Sequence, residues 1–214
     1  MSDIQINITE NKFRFEELLR RITREGAAIP SLLYKLEQSD FYFAPCSTKF
    51  HLNVHGGLCQ HSLNVYDNLV KLNHEFNCGF DEESMIIVAL LHDIDKMNKY
   101  EETTFNKKLY HECGKKSDEK GKFDWIAETG FIIKDTDDRF VLGHHGQNSE
   151  YIIQGYIPLK LEESVAIVNH MGNAYDEYKP FDITAIYRRY PLAQFLYISD
   201  FLSTFYTEAN QIKK

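Results

Sequence analysis

The chain has 214 residues, 43% of them apolar and 26% charged, with a formal charge of −8. A chain of this length supports one core that removes roughly 70% of the unfolded surface from water. Its acidic balance lacks the basic footprint that grips a phosphate backbone, which excludes duplex nucleic acid as a partner class but leaves room for a small phosphorylated molecule.

Cys46, Cys59, Cys78 and Cys113 form no CxxC pair, and the start from Met1 to Asn7 is polar. No apolar run approaches the ~20 residues of a membrane span. The expectation is a cytoplasmic, reduced protein with no membrane partner.

Phe13, Leu18, Leu19 and Ile22 predict an amphipathic helix, and Ile29 to Leu36 a second with Leu32, Leu33 and Leu36 inward. Phe41 to Pro45 reads as an aromatic, extended connection. Thr48 to Gly57 continues as a loop carrying His51 and His55, both candidates to approach a site. From Gly57 onward Leu58, Ser62, Val65, Leu69, Leu72 and Phe76 recur at three- and four-residue steps, a long helix with His61 on its buried face. A lone histidine there is as readily a hydrogen-bonded core residue, so its meaning depends on partners. Gly79 closes this helix, and Asp81 with Glu82 and Glu83 suits the N-cap and negative first turn of the next.

That next helix, through Met85 to Leu91, has no polar face and carries His92 and Asp93 into the middle of the fold, ahead of Ile94, Asp95 and Lys96. Burying an ionised carboxylate costs several kcal/mol unless a cation or a full set of donors compensates it. A metal would supply that compensation. On this stretch alone, a surface loop beginning at Asp93 and Asp95 beside a hydrogen-bonded core His92 fits as well.

The segment from about Tyr100 to Phe140 is charged and has no sustained helical period. Short strands or a hairpin are expected around Phe123 to Ala127, with Lys115 to Lys122 a solvated turn and Trp125 and Tyr110 candidates for a lid. Gly143 to Ser149 opens a helix through Tyr151 and Ile153, which places His144 and His145 at an N-terminus whose free amides favour an anionic ligand. Beyond Pro158 a helix from Glu162 turns Val165, Ala166 and Ile167 inward and brings His170 to an apolar face before Gly172 ends it. Pro191 opens the last helix, where Leu192, Leu196 and Asp200 share a face. A carboxylate in that stripe needs a cation, and pairing with Arg188 or Arg189 near the surface is the competing reading.

His61, His92, Asp93, His145, His170 and Asp200 thus come from separate elements, each ending an apolar face or a helix. Nitrogen and oxygen donors without a zinc-finger cysteine spacing suit a divalent transition metal, Mn, Fe, Co, Ni or Zn, more than a structural zinc. The order His61, then His92-Asp93, then Asp200 resembles that of the HD-domain metal-dependent phosphohydrolase superfamily, over roughly Gly57 to Glu208. Gly56 to Ser62 is similar to the glycine-led first-histidine helix of that family, His92 to Lys96 to its HD-x-x-K turn, and Tyr197 to Asp200 to its final helix. The nearest likeness is to short bacterial and phage HD proteins. Asp95 departs from the pattern, standing where many members carry glycine or another small residue, so that it either crowds the metal region or points to solvent. The GYP segment of the cyclic-dinucleotide branch is absent after Asp93, and Gly155 to Pro158 lies in another context.

The resemblance implies an all-α fold: an HD-domain helical bundle with a small irregular or β-hairpin insertion at about 100–140. A single domain would span 1–214, with N-terminal helices and loop over 1–56 and the metal-site core over 57–208. It implies one or two ions, magnesium also being compatible. Asp93 would bridge them, with His61, His92 and Asp200 completing the first site and His145 and His170 the second, His144 competing for the place of His145. The implied activity is hydrolysis of a phosphate ester or anhydride, of a nucleotide by preference, in which Asp93 orients the attacking hydroxide and Lys96 neutralises a phosphate oxygen. Lys99, His144, Asn148 and Arg188 are candidate substrate contacts. Two other functions stay open, a di-iron oxygenase using the same ligands and a catalytically silent nucleotide-binding module. The spacing does not separate hydrolase from oxygenase, nor does it give an oligomeric state.

Overall fold

A computed structural model describes residues 6–172 and 182–209 of the chain. Helix α1 (Ile8–Leu19) begins at Asn7, whose side chain accepts the Glu10 N–H, and it buries Phe15, Leu18 and Leu19. Phe13, expected inward, is exposed, because it stands two residues from Phe15 and so on the opposite face. The rings of Phe41 and Tyr42 close on Phe15 at 5.0 and 6.0 Å. Helix α2 (Ile29–Glu37) has proline in its first turn and buries Leu32 and Leu36.

Helix α3 (Gly57–Glu75) follows Gly56, whose φ of 79° is left-handed. A side chain on Gly57 would put its Cβ 2.1 Å from the Leu52 carbonyl oxygen, so glycine is what lets the 48–56 loop lie against the helix just before His61. Phe76, also expected inward, is exposed and rests edge-on against Phe195 at 5.7 Å.

Helix α4 (Glu82–Leu91) starts at Asp81, which accepts the Ser84 N–H, and every residue from Ser84 to Leu91 is buried. Each large apolar side chain removed from water contributes ~1.5–3 kcal/mol before ordering costs. That fixes the helix, and the 3-10 turn Ile94–Lys96 beyond it, as the central element. Helices α1, α3 and α6 (Leu161–Val168) pack on α4, while α5 (His145–Gln154) packs on the 3-10 turn and on α6. Helix α8 (Pro191–Leu202) lies across α3 and α6, and the short α7 (Ile183–Arg189), which periodicity does not announce, lies on α8. Glu163 is fully buried and accepts hydrogen bonds from Arg24 Nη1 and Nη2, each at 2.7 Å, and from the Ser84 hydroxyl at 2.6 Å, joining α6 to the α1–α2 connection and to α4.

The all-α expectation needs correcting at the insertion. Strands β1 (Tyr100–Tyr110), β2 (Lys116–Asp118) and β3 (Gly121–Ile133) form an antiparallel sheet in the order β1-β3-β2, with Tyr100 opposite Ile133 and Tyr110 opposite Phe123. The pairing is much longer than a local hairpin at Phe123 to Ala127. Its alternating pattern is hidden in the sequence because most of both faces is solvated; Tyr100, Phe123 and Phe131 are the buried residues of these strands. Among the described residues no helix is long and apolar enough to cross a membrane.

Candidate metal centre

His92 closes α4 by donating its Nδ1–H to the Ala89 carbonyl at 2.9 Å, and His170, just past α6, makes the equivalent bond to the Ile167 carbonyl at 2.7 Å. A carbonyl only accepts, so both rings carry their proton on Nδ1 and a lone pair on Nε2. Both Nε2 atoms are buried and lack a hydrogen-bond partner. Burial pushes His92 down to about 3 against the opposing pull of Asp93, keeping the ring neutral. Leaving a buried polar atom unsatisfied costs ~1–3 kcal/mol. Two such nitrogens on rings 4.9 Å apart, each tautomer fixed by a backbone carbonyl, match the way metal-binding imidazoles are oriented.

Asp93 sits at the centre of the cluster and is almost fully buried. Its Oδ2 faces Lys96 Nζ at 2.6 Å, His92 Nε2 at 3.5 Å and His61 Nε2 at 3.7 Å. Its Oδ1 faces His170 Nε2 at 3.6 Å and hydrogen-bonds His145 Nε2. The two oxygens of one carboxylate therefore address two different sets of imidazoles. Burial alone would raise Asp93, but Lys96, His92 and His145 hold it well below the usual carboxylate range. Burial likewise works against the Lys96 charge, and Asp93 with Cys46 and Tyr100 together outweigh it, holding that ammonium well above its ordinary value.

From α8, Asp200 Oδ1 lies 3.1 Å from His61 Nε2. Its burial is outweighed by His61, which holds it below the carboxylate range. The competing arginine pairing is not formed among the described residues; Arg188 and Arg189 are exposed on α7. His61 and His145 are both shifted upward. Burial opposes the charge in each, and it is overcome by Cys46, Glu208 and Asp200 around His61 and by Asp93 and Asp95 around His145. Donor atoms within 4.8 Å of one another come from His61, His92 and Asp200, from His92, Asp93 and His170, from Asp93, Asp95 and His145, and from Cys46, His51 and His61. Imidazole nitrogens interleaved with carboxylate oxygens are a donor set for a divalent cation, whose charge would replace the proton that these carboxylates favour on His61 and His145.

The cluster opens into a cavity of about 410 Å³ whose polar wall includes His61, Asp93, Lys96, His170 and Asp200. Phe50, Tyr197, Phe201 and Phe205 line the rest together with Met171 and Thr204. Trp125 and Tyr110, expected as part of a lid, do not line it.

Of the candidate substrate contacts, only Lys96 reaches the cavity. Lys99 bonds Asp95 at 3.2 Å, Asn148 is buried and accepts the Leu142 and Gly143 N–H groups at 2.9 Å, His144 is the N-cap of α5, and Arg188 is exposed. Asp95 is buried with Oδ1 2.5 Å from His145 Nδ1, so it crowds the cluster and does not face solvent. His55 is exposed and pairs with Glu102 at 3.1 Å. His51 does reach the site: its ring is 4.9 Å from that of His61, its Nε2 is 3.1 Å from Cys46 Sγ, and burial pushes it down to about 4.

Two residues with no sequence signal complete the surroundings. Cys46 is buried just past the aromatic connection, and burial pushes its thiol up to about 11. Glu208 is fully buried behind His61. A family model described as HD domain matches residues 58–200, more than half of the chain. No curated protein and no solved structure matches it.

Proposed function

Because the chain belongs to the HD domain family, we propose that it is a metal-dependent phosphohydrolase that cleaves a phosphate ester or anhydride of a nucleotide. The observation that carries this reading is the division of Asp93: Oδ2 toward His61, His92 and Lys96, Oδ1 toward His145 and His170. With Asp200 beside His61, these residues would hold one ion on each side of Asp93. A divalent ion bound there would lower the pKa of a water and polarise a phosphoryl oxygen.

The chain's own groups account for the rest. Asp93 accepts from the attacking water and orients it, while Lys96, which lines the cavity, offers its ammonium to a substrate oxygen. The carbonyl-tethered His92 and His170 keep their donor atoms aimed without reorganisation. The cavity volume falls in the range of small-ligand sites. Its rings offer flat apolar faces to a base while the polar wall faces a phosphate, and that division supports a nucleotide over a sugar phosphate.

The test is phosphate release by manganese-loaded protein from nucleoside mono-, di- and triphosphates, with sugar phosphates as the comparison. Release confined to nucleotides is the expected result. No release from any of them, together with oxygen uptake by the iron-loaded protein, would replace hydrolysis with oxygenation.

A further inference from the structure

The C-terminal segment reaches His61 on both ring nitrogens. Asp200 Oδ1 lies 3.1 Å from Nε2, and Glu208 Oε1 lies 2.8 Å from Nδ1. At 3.6 residues per turn the eight-residue step from Asp200 would leave Glu208 about 80° round the helix, off the face that meets α3. The backbone instead widens into a π-turn over Ser203–Thr207. Its i→i+5 repeat rotates less per residue and brings Glu208 back toward the face of Asp200.

The widened turn is held at its start. Ser203 is buried, its hydroxyl donates to the Ser199 carbonyl at 2.8 Å, and it accepts from Asn68 of α3 at 2.9 Å. Glu208 is itself fully buried, and both of its hydrogen-bonded partners lie on α3: His61, and Asn64, whose amide donates to the same Oε1 at 3.1 Å. Burial penalises the Glu208 charge, and His61 with His51 and Asn64 together outweigh it, so its carboxyl stays below its ordinary value.

We infer that Glu208 is a positioning residue for His61. It accepts the Nδ1–H, fixes the tautomer that leaves the Nε2 lone pair on the side of Asp93 and Asp200, and strengthens that nitrogen as a donor. His92 and His170 obtain the same orientation from backbone carbonyls of their own helices. His61 is the fifth residue of α3, where the carbonyls of the preceding turn are committed to the helix ladder, so its orienting acceptor comes from another element. The inference rests on the metal-centre reading of this site.

The experiment is direct titration of metal-free protein with Mn²⁺ and with Co²⁺, following affinity and the Co²⁺ ligand-field spectrum, for wild type, Glu208→Ala and Glu208→Gln. Glutamine keeps an oxygen that accepts the Nδ1–H. Glu208→Ala is expected to weaken binding about 10–100-fold and shift the spectrum. Glu208→Gln should recover most of the affinity and the wild-type spectrum, and circular dichroism of the metal-free proteins should show all three folded. Wild-type affinity in Glu208→Ala, or equal loss in both variants, overturns the inference while leaving the metal centre intact. A wild type that takes up neither ion overturns the metal centre and the inference together.

Discussion

Gly146→Ala sets two effects of opposite sign against each other within the site. In an exposed helix the change would stabilise by up to about 1 kcal/mol, because alanine loses less backbone freedom than glycine. At this position the new Cβ would lie 2.5 Å from the Val168 carbonyl oxygen and 2.6 Å from that of Ile167, and both are backbone atoms that cannot swing aside. Restoring ordinary contact requires α5 and the end of α6 to separate by about 1 Å, and overpacking of this kind costs ~1–3 kcal/mol. The net expectation is a loss of about 1–2 kcal/mol in urea unfolding of the metal-free protein.

The same displacement reaches the chemistry. His145 precedes Gly146, and the Ile167 oxygen is the acceptor that orients His170. A shift near 1 Å in catalytic geometry can cost ~100-fold in rate, so turnover and Mn²⁺ affinity should fall together. Gly155→Ala is the control, since its Cβ meets only the Ile152 oxygen, at 3.3 Å. A Gly146→Ala protein at least as stable as wild type, with unchanged metal affinity, would refute the close-packing argument.

Lys96→Ala should retain metal and lose ~100-fold or more in turnover, measured by metal content and phosphate release on the same sample; loss of metal instead would make Lys96 a support for Asp93. Replacing both His145 and His170 by alanine should lower Mn²⁺ content from about two ions per chain to about one, because His61, His92 and Asp200 remain with the Asp93 Oδ2 side. Asp81→Ala should destabilise α4 by ~1 kcal/mol at pH 6. Burial works against the Asp81 charge, and Lys160 with the Ser84 N–H and hydroxyl brings that carboxyl down to about 2 from 3.8. Because this is a depressed carboxylate, its contribution is full above the unfolded value and is lost as pH falls through the folded one. The gap between wild type and variant in unfolding free energy should therefore close between about pH 4 and pH 2.

The helices around the site were legible because α3, α4 and α8 bury continuous apolar stripes, and a histidine or carboxylate ending such a stripe stands out. His61, His92, Asp93 and Asp200 are of that kind, and the structure brings them together with His145 and His170. Lys99, Asn148 and Arg188 carry the right chemistry for a phosphate, but sequence does not show that Asp95 engages the first, the 142–143 backbone the second, and solvent surrounds the third. Phe13 and Phe76 were misread because apolarity alone does not fix which face of a helix meets the core. Glu208 was invisible for a sharper reason: a π-turn changes the periodicity from which a shared face is read. The paired strands were underestimated because a solvated sheet carries little apolar alternation.

The central claim is that Asp93 joins two groups of metal ligands in one site. Metal analysis of wild type and Asp93→Ala after anaerobic manganese loading and removal of loosely held ions tests it most directly, with circular dichroism confirming that both are folded. The expected result is about two ions per chain in the wild type and a small fraction of that in the variant, accompanied by complete loss of phosphate release. A folded Asp93→Ala protein with the metal content of the wild type would contradict it.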